Sequence, residues 1–395
     1  MAVAAVVTAT RAESATAGIY EALSVRTFIN ASGHNTAQGG SLMPPEVLTA
    51  MQQAAQRYVS LRALQDAAGR RIAEVVGTPA ALVSSGAAGA ILLGAAACLT
   101  GTDAEQIHAL PETPPDGKNQ VLVWRAPRPN YMYQACQAAG GKLVEIGELG
   151  DPVSPELFRD AMSARAAAVL LVLAPIDQGR ARTGGWEAFV GGVCRYANAA
   201  GVPVLVDAAS ELPPRNLVRR LLDLGAAGVI VSGGKAIRGP QPTGLLLGRP
   251  DLIEAAALNN NPLSAIGRPL KVGKEEICGL VAAVERFFAM DEAAQLGEWD
   301  TWAHRIAAAV AGASGVRAEV VADHPDYGRP PLVPKAVLRF DGGAVAADTL
   351  AAQLREGDPA IQPLRQGDHL TFNPMTLQPG EAEIVAERLR AVVRS

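Results

Sequence analysis

Residues 228–238 read GVIVSGGKAIR, an apolar run that ends in Ser232-Gly233-Gly234-Lys235. A continuous apolar run bounded by turn residues is the pattern of a strand buried on both faces, and paired glycines after it allow a tight turn. A lysine delivered this way has a fixed direction for its amine and open space beside it for a planar ligand. The plainer reading of an isolated GGK is a surface lysine in a β-turn. A phosphate-binding P-loop is excluded because Ala236, not Ser or Thr, follows Lys235 and the glycine spacing differs. A Ser-x-x-Lys hydrolase built on Ser232 is excluded because the companion Ser-Asp-Asn and Lys-Thr-Gly motifs are missing.

Two upstream motifs raise the lysine above the plain reading. Residues 204–210, VLVDAAS, place Asp207 at the end of another buried run. A carboxylate there is costly unless it meets a cation or a ligand; taken alone it would serve equally as a helix cap or metal ligand. Residues 84–89, SSGAAG, join an apolar run to a small-residue helix. The unpaired N–H groups of that helix start, with the Ser85 hydroxyl, suit an anion. The order in the chain is anion turn, acid, lysine.

Outward from these motifs the pattern is repetitive. Apolar runs at Ala81–Ser84, Val121–Trp124, Leu143–Ile146, Val169–Leu173, Val204–Val206, Val229–Val231 and Leu245–Leu247 are separated by helical stretches, which predicts a mostly parallel sheet covered on both faces. Before them, Met1–Ala17 is unpatterned and reads as a frayed start, Phe28–Ser41 reads as a loop, Pro44-Pro45 opens a helix, and Leu61–Val76 is a helix stopped by Gly77. His108–Lys118, with Pro111, Pro114 and Pro115, reads as a surface loop, Asn259–Gly273 as irregular, and Glu275–Met290 as a long helix entering another unit. From Val316 the pattern changes to short strands, Ala336–Phe340 and His369–Phe372, with helices at Val345–Leu354 and Gly380–Val393. The expected division is an N-terminal arm at 1–45, a large α/β domain at 46–272 and a smaller α+β C-terminal domain at 273–395.

With 395 residues, 49% of them hydrophobic and 19% charged, the chain is a globular protein with a large core. A net charge of −4 supplies no basic face for nucleic acid or a membrane surface, so the expected partner is a small molecule. Cys98, Cys136, Cys194 and Cys278 fit neither a Cys-x-x-Cys pair nor a zinc spacing. They read as free thiols in a reducing compartment, no metal is expected, and without a spanning or secretory segment the cytoplasm is the default location.

The stretches INASG, GGSLMPPEV, SSGAAGA, VDAASELPP, SGGKAIRGPQPTGLLLG, GRPLKVGKEEI and FNPMTLQPGE occur in that order. Together they resemble the selenocysteine synthase-like proteins that depend on pyridoxal 5'-phosphate (PLP), and among them the D-glucosaminate-6-phosphate ammonia-lyase-like branch. The resemblance runs from about Phe28 to the C-terminus. It implies the PLP-dependent transferase fold type I, an α/β fold, a homodimer or larger assembly, and elimination or replacement chemistry on an amino-acid-like substrate. It implies that Lys235 is the Schiff-base lysine and general base, Asp207 the partner of the pyridine nitrogen, and Ser85, Gly86, Ala87, Ser210 and Ser232 cofactor contacts. Arg268 and Lys271 would line the mouth of the site, and His34 and Asn35 would enter from the N-terminal loop. Two departures bear on substrate. Ala126-Pro127-Arg128-Pro129 precedes Tyr131 where relatives carry a histidine, and Met375 stands where they carry an arginine that clamps a carboxylate. Arg365 is the candidate substitute. The leading expectation is a lyase; β-replacement, aldol-type or other transferase chemistry is the alternative, and a non-catalytic binding protein the remote one.

Overall fold

A computed structural model of the chain describes residues 18–114, 117–127, 130–149, 153–173, 185–322 and 333–393. Met1–Ala17 and Arg128-Pro129 lie outside them. Two compact units emerge. Over the described residues, the large one is formed by 34–298 together with Ala322 and Val333, the small one by 18–33, 299–321 and 334–393.

Strand β1 (Ile29–Ala31) belongs to the small unit. The large unit holds β2 (Ala80–Ser85), β3 (Gln120–Trp124), β4 (Lys142–Ile146), β5 (Ala166–Val172), β6 (Val204–Asp207), β7 (Gly228–Ser232) and β8 (Thr243–Gly248). They form one sheet in the order β2-β8-β7-β6-β5-β3-β4. All neighbours are parallel except that β8 runs antiparallel to both β2 and β7. The apolar runs of the sequence are these seven strands. Every residue of β5, β6 and β8 is buried, as continuous apolar strands covered by helices must be.

Helix Gly86–Thr100 is apolar nearly all round, and its core positions from Ala87 to Thr100 are buried against β2, β6, β7 and β8. Small residues permit that depth: a Cβ on Gly94 would stand 3.1 Å from Leu205. Helices Pro45–Ala55 and Leu61–Val76 form as expected, the latter ending on Gly77 in the left-handed region (φ 74°). Helix Lys274–Ala289 packs on both. Its face of Ile277, Leu280, Ala283, Val284 and Phe287 is part of the large core, so this helix belongs to the large unit instead of opening the small one at 273.

The small unit contains β9 (Val316–Val321), β10 (Lys335–Phe340), β11 (Ile361–Gln366) and β12 (His369–Phe372), ordered β1-β11-β12-β10-β9. Helices Gly343–Glu356 and Glu381–Val393 contribute Leu350, Leu354, Val385 and Leu389 to its core. The segment expected to be loop at Phe28–Ser41 therefore contains a strand, held by parallel pairing of Ile29 with Ile361 and Ala31 with Pro363. Asn373 N–H adds a bond to the Ala31 carbonyl at 2.7 Å.

Candidate active site

Parallel strands β6 and β7 release Asp207 and the lysine turn at the same edge of the sheet, the carboxyl ends where open α/β folds place ligands. Asp207 is 3% exposed and opposite Ile230 in the register. Its Oδ1 accepts the Ala209 N–H at 3.0 Å. Beyond Ser232 the chain turns through Gly233 and Gly234, with Gly239 N–H bonded to the Gly233 carbonyl at 2.8 Å. Both glycines are required: a Cβ on Gly233 would stand 2.2 Å from Thr243 Oγ1, and one on Gly234 2.4 Å from Gln241 Cα. The turn aims Lys235 so that Nζ donates to Ser210 Oγ at 2.5 Å.

Electrostatics bind these groups into one unit. Burial pushes the Asp207 carboxyl up to about 6; the Ala209 N–H and Lys235 oppose that rise, and Glu211 adds to it. Burial lowers the Lys235 ammonium from its ordinary value, against the pull of Asp207 and Glu211. Tyr131, which opens helix Tyr131–Ala138 after β3, has its phenol raised by burial and by the charge of Asp207. Tyr131 is nonetheless about half-exposed, at 54%.

The anion turn adjoins this edge. In the register Gly244 of β8 stands between Ser84 of β2 and Ser232 of β7, so Ser85-Gly86-Ala87 and the lysine strand are two strand spacings apart, about 10 Å. Gly86 takes φ 65° with nothing within 4 Å of a Cβ position, and Ser85 makes no side-chain cap bond, which leaves the first N–H groups of a 15-residue helix open. A Cβ on Gly244 would meet Gly86 C at 2.2 Å and Ala87 N at 2.7 Å. Gly244→Ala is therefore expected to displace the turn at Ser85–Ala87: affinity for PLP, the cofactor the resemblance implies, should fall about tenfold or more while folding stability falls only by what ordinary overpacking costs, about 1–3 kcal/mol. Fluorescence titration with PLP beside thermal melts measures both.

The N-terminal loop reaches the lysine turn within the large unit. Ser41 N–H donates to the Gly234 carbonyl at 3.1 Å, Gln241 Nε2 to the Thr36 carbonyl at 2.9 Å and Arg238 Nε to the Leu42 carbonyl at 2.8 Å. His34 is half-buried there. Asn35 is exposed and uses its carboxamide to cap the turn Thr36–Gln38 through Ala37 N–H. Arg268 and Lys271 are exposed, on a segment whose Leu270 rests against Gly89 of the helix that follows the anion turn. Arg268 lines an open groove of about 510 Å³ with His108 and Pro269, and a cavity of about 590 Å³ between helices 61–76 and 250–258 holds none of the site residues. Arg365, in the small unit, has its guanidinium engaged by both carboxylate oxygens of Asp348, at 2.8 and 3.0 Å. Met375 is buried in the turn Pro374–Thr376. The buried carboxylate of Glu211, absent from the sequence-derived set, is the member that reading missed. Its one signal was position, directly after Ser210.

Lys235, Asp207 and the Ser85–Ala87 turn at one end of the sheet, in this strand order, are the arrangement expected of a PLP-dependent enzyme of fold type I. No family model matches the chain. It is 31% identical to 5'-C-glycyluridine monooxygenase-decarboxylase of a Streptomyces species, over 95% of this chain and 92% of that protein. It is 29% identical to D-glucosaminate-6-phosphate ammonia lyase of Salmonella typhimurium, over 95% of this chain and 98% of that protein. A solved structure of D-glucosaminate-6-phosphate ammonia-lyase superposes with a TM-score of 0.77 at 26% identity, covering 96% of this chain and 99% of the other. At the level of fold alone, SPT with its PLP matches with a TM-score of 0.58 at 13% identity, over 93% of this chain and 87% of the other. The chain belongs to the PLP-dependent family that includes this ammonia lyase and this monooxygenase-decarboxylase. Among the described residues no helix is long and apolar enough to cross a membrane, and no cluster of His, Cys, Asp and Glu could hold a metal.

Proposed function

We propose that the chain is a PLP-dependent lyase: Lys235 removes the α-proton of an amino-acid-like substrate and a β-substituent is expelled. The observation that carries this is Lys235 Nζ held on Ser210 beside Asp207, at the carboxyl ends of β6 and β7, in a chain of this family. Bound PLP supplies an electron sink for the charge left at the α-carbon. The residues fit it: the open N–H groups of Gly86 and Ala87 with the Ser85 and Ser232 hydroxyls would hold its phosphate, Asp207 would partner its ring nitrogen, and Lys235 would anchor it. Burial depresses the Lys235 amine, which raises the share of the neutral form able to accept a proton. Ser210 keeps that amine oriented. His34 and Asn35 contribute to the substrate side, and the working protein is a homodimer or larger assembly, with Arg268 and Lys271 at the mouth of the site.

Adding PLP to the purified protein should produce a visible absorbance band that depends on Lys235, and a panel of hydroxy-amino acids should then release ammonia and a keto acid. No such band after saturation with PLP would overturn the reading. A second reading, oxygen-dependent decarboxylation, is favoured by the 31% identical relative of that name. Oxygen uptake and carbon dioxide release without ammonia would select it.

On substrate, Met375 in place of a carboxylate clamp leads us to expect slow turnover of D-glucosaminate 6-phosphate. Because Asp348 already occupies the Arg365 fork, Arg365→Ala should leave kinetics on the true substrate within about twofold. Arg268→Ala should raise KM about tenfold or more, the scale of a lost carboxylate partner. Efficient use of D-glucosaminate 6-phosphate, indifferent to both substitutions, would defeat this expectation.

A further inference from the structure

Helices Leu61–Val76 and Pro250–Leu258 both pack on β2, the edge strand of the large sheet. Gly69 brings the first of them close, since a Cβ there would stand 2.4 Å from the Ala81 carbonyl oxygen. Between the two helices lies the cavity of about 590 Å³, a size that suits a small organic molecule. Two carboxamides in its walls are left with unmet oxygens. Gln65 is 7% exposed and Asn261 4% exposed, and among the described residues neither Gln65 Oε1 nor Asn261 Oδ1 has a hydrogen-bond donor. Asn261 Nδ2 donates to the Arg268 carbonyl at 3.3 Å, which fixes the oxygen as the end left over. Buried acceptors without donors are costly, so an occupant that relieves them must donate hydrogen bonds.

The rim carries charge of both signs. Arg62, Asp66 and Arg70 follow one another at four-residue spacing along one face of their helix, and Glu254 lines the cavity from the other; all four are exposed. Ala73, Leu82 and Ile253 give the interior an apolar surface. We propose that this cavity binds a free α-amino acid with an apolar side chain. The ammonium group donates to Gln65 Oε1 and Asn261 Oδ1 and is balanced by Asp66 and Glu254. The carboxylate pairs with Arg62 or Arg70, and the side chain lies against the apolar surface. A polyamine would set its charge against the two arginines, and a carboxylic acid without an amine would leave both buried oxygens unmet. A zwitterion satisfies every group. This site is separate from Lys235 and does not depend on the reaction proposed there.

The test is calorimetric titration of the PLP-loaded protein with leucine, beside thermal melts. Leucine should bind saturably and raise the melting temperature as its concentration rises. Gln65→Met keeps the volume and removes the unmet acceptor, so without leucine it should melt no lower than wild type, while its Kd for leucine rises about tenfold or more. A merely structural Gln65 would give the reverse: a lower melting temperature and unchanged affinity. Asp66→Asn combined with Glu254→Gln, at the exposed rim, should also weaken leucine binding and serves if Gln65→Met does not fold. Leucinamide, which lacks the carboxylate, and isocaproate, which lacks the amine, should each bind about tenfold more weakly than leucine. The inference is overturned if wild type does not bind leucine, if the variants bind it as wild type does, or if either analogue binds equally well. A change in the PLP absorbance that tracks leucine binding and persists in the variants places the leucine at Lys235 and overturns it too.

Discussion

Replacing Lys235 by alanine should reduce turnover by about 10⁴-fold or more, because in the proposed reaction one amine would both anchor the cofactor and move the substrate proton. Binding should survive better than activity, since the anion turn and Asp207 still hold the phosphate and ring. The expected spectrum is that of the free aldehyde, without the lysine-dependent band. Because Lys235 holds the Asp207 carboxyl down, the titration of Asp207 should move further upward in the variant. Lys235→Arg, which keeps a charge but offers no neutral amine at ordinary pH, should be as inactive as the alanine variant. Retention of more than a hundredth of wild-type turnover in either variant would show that another group moves the proton.

Asp207→Asn should retain PLP while losing about 10³-fold in turnover, the scale of removing a preorganised charge from an active site. On the proposed arrangement the Ser85–Ala87 turn and Lys235 would still secure the cofactor, but its ring nitrogen would lose the carboxylate that favours the protonated, electron-accepting form. Equal loss of binding and activity would make Asp207 structural. A stability effect of opposite sign accompanies the loss. The folded-state pKa of Asp207 is raised from 3.8 to about 6, so the folded state binds its proton more tightly than the unfolded state does. Burial of the ionised acid therefore destabilises the cofactor-free wild type above about pH 6, and that cost disappears as pH falls below the unfolded value near 4. Cofactor-free Asp207→Asn should melt higher than wild type at pH 8, by on the order of 2–3 kcal/mol, with the gap closing toward pH 4. Melting curves across that range, without PLP, measure it.

The large sheet was legible because burial on both faces leaves unbroken apolar runs such as Val169–Leu173, and glycines follow several of them, as at Gly147, Gly233 and Gly248. The lysine, acid and anion turn were legible for the same reason, as polar residues at the ends of those runs. Other features depend on distant partners and leave no local trace. Strand β1 is three residues inside a Gly/Ser/Asn-rich stretch, and it is a strand only because β11 lies beside it. Strand β11 carries Pro363, which argues against a strand from sequence alone; pairing with β12 from Leu364 onward keeps it in the sheet. Helix Lys274–Ala289 is amphipathic on any reading, but which core its apolar face joins is decided by Met51, Pro240 and their neighbours. Arg365 looked available because Asp348 lies on a different element.

The small unit is sewn together by residues from both ends of the chain: besides the pairing of β1 with β11, Thr376 Oγ1 donates to the Asn30 carbonyl across 346 residues of sequence. Contacts of such long range are slow to form, since the loop between them must close before they contribute anything. On the ribosome the large unit's strands have all emerged while β1 still waits for its neighbour. Until β11 is released, Ile29 and Ala31 remain an unpaired strand edge, open to pairing with other chains.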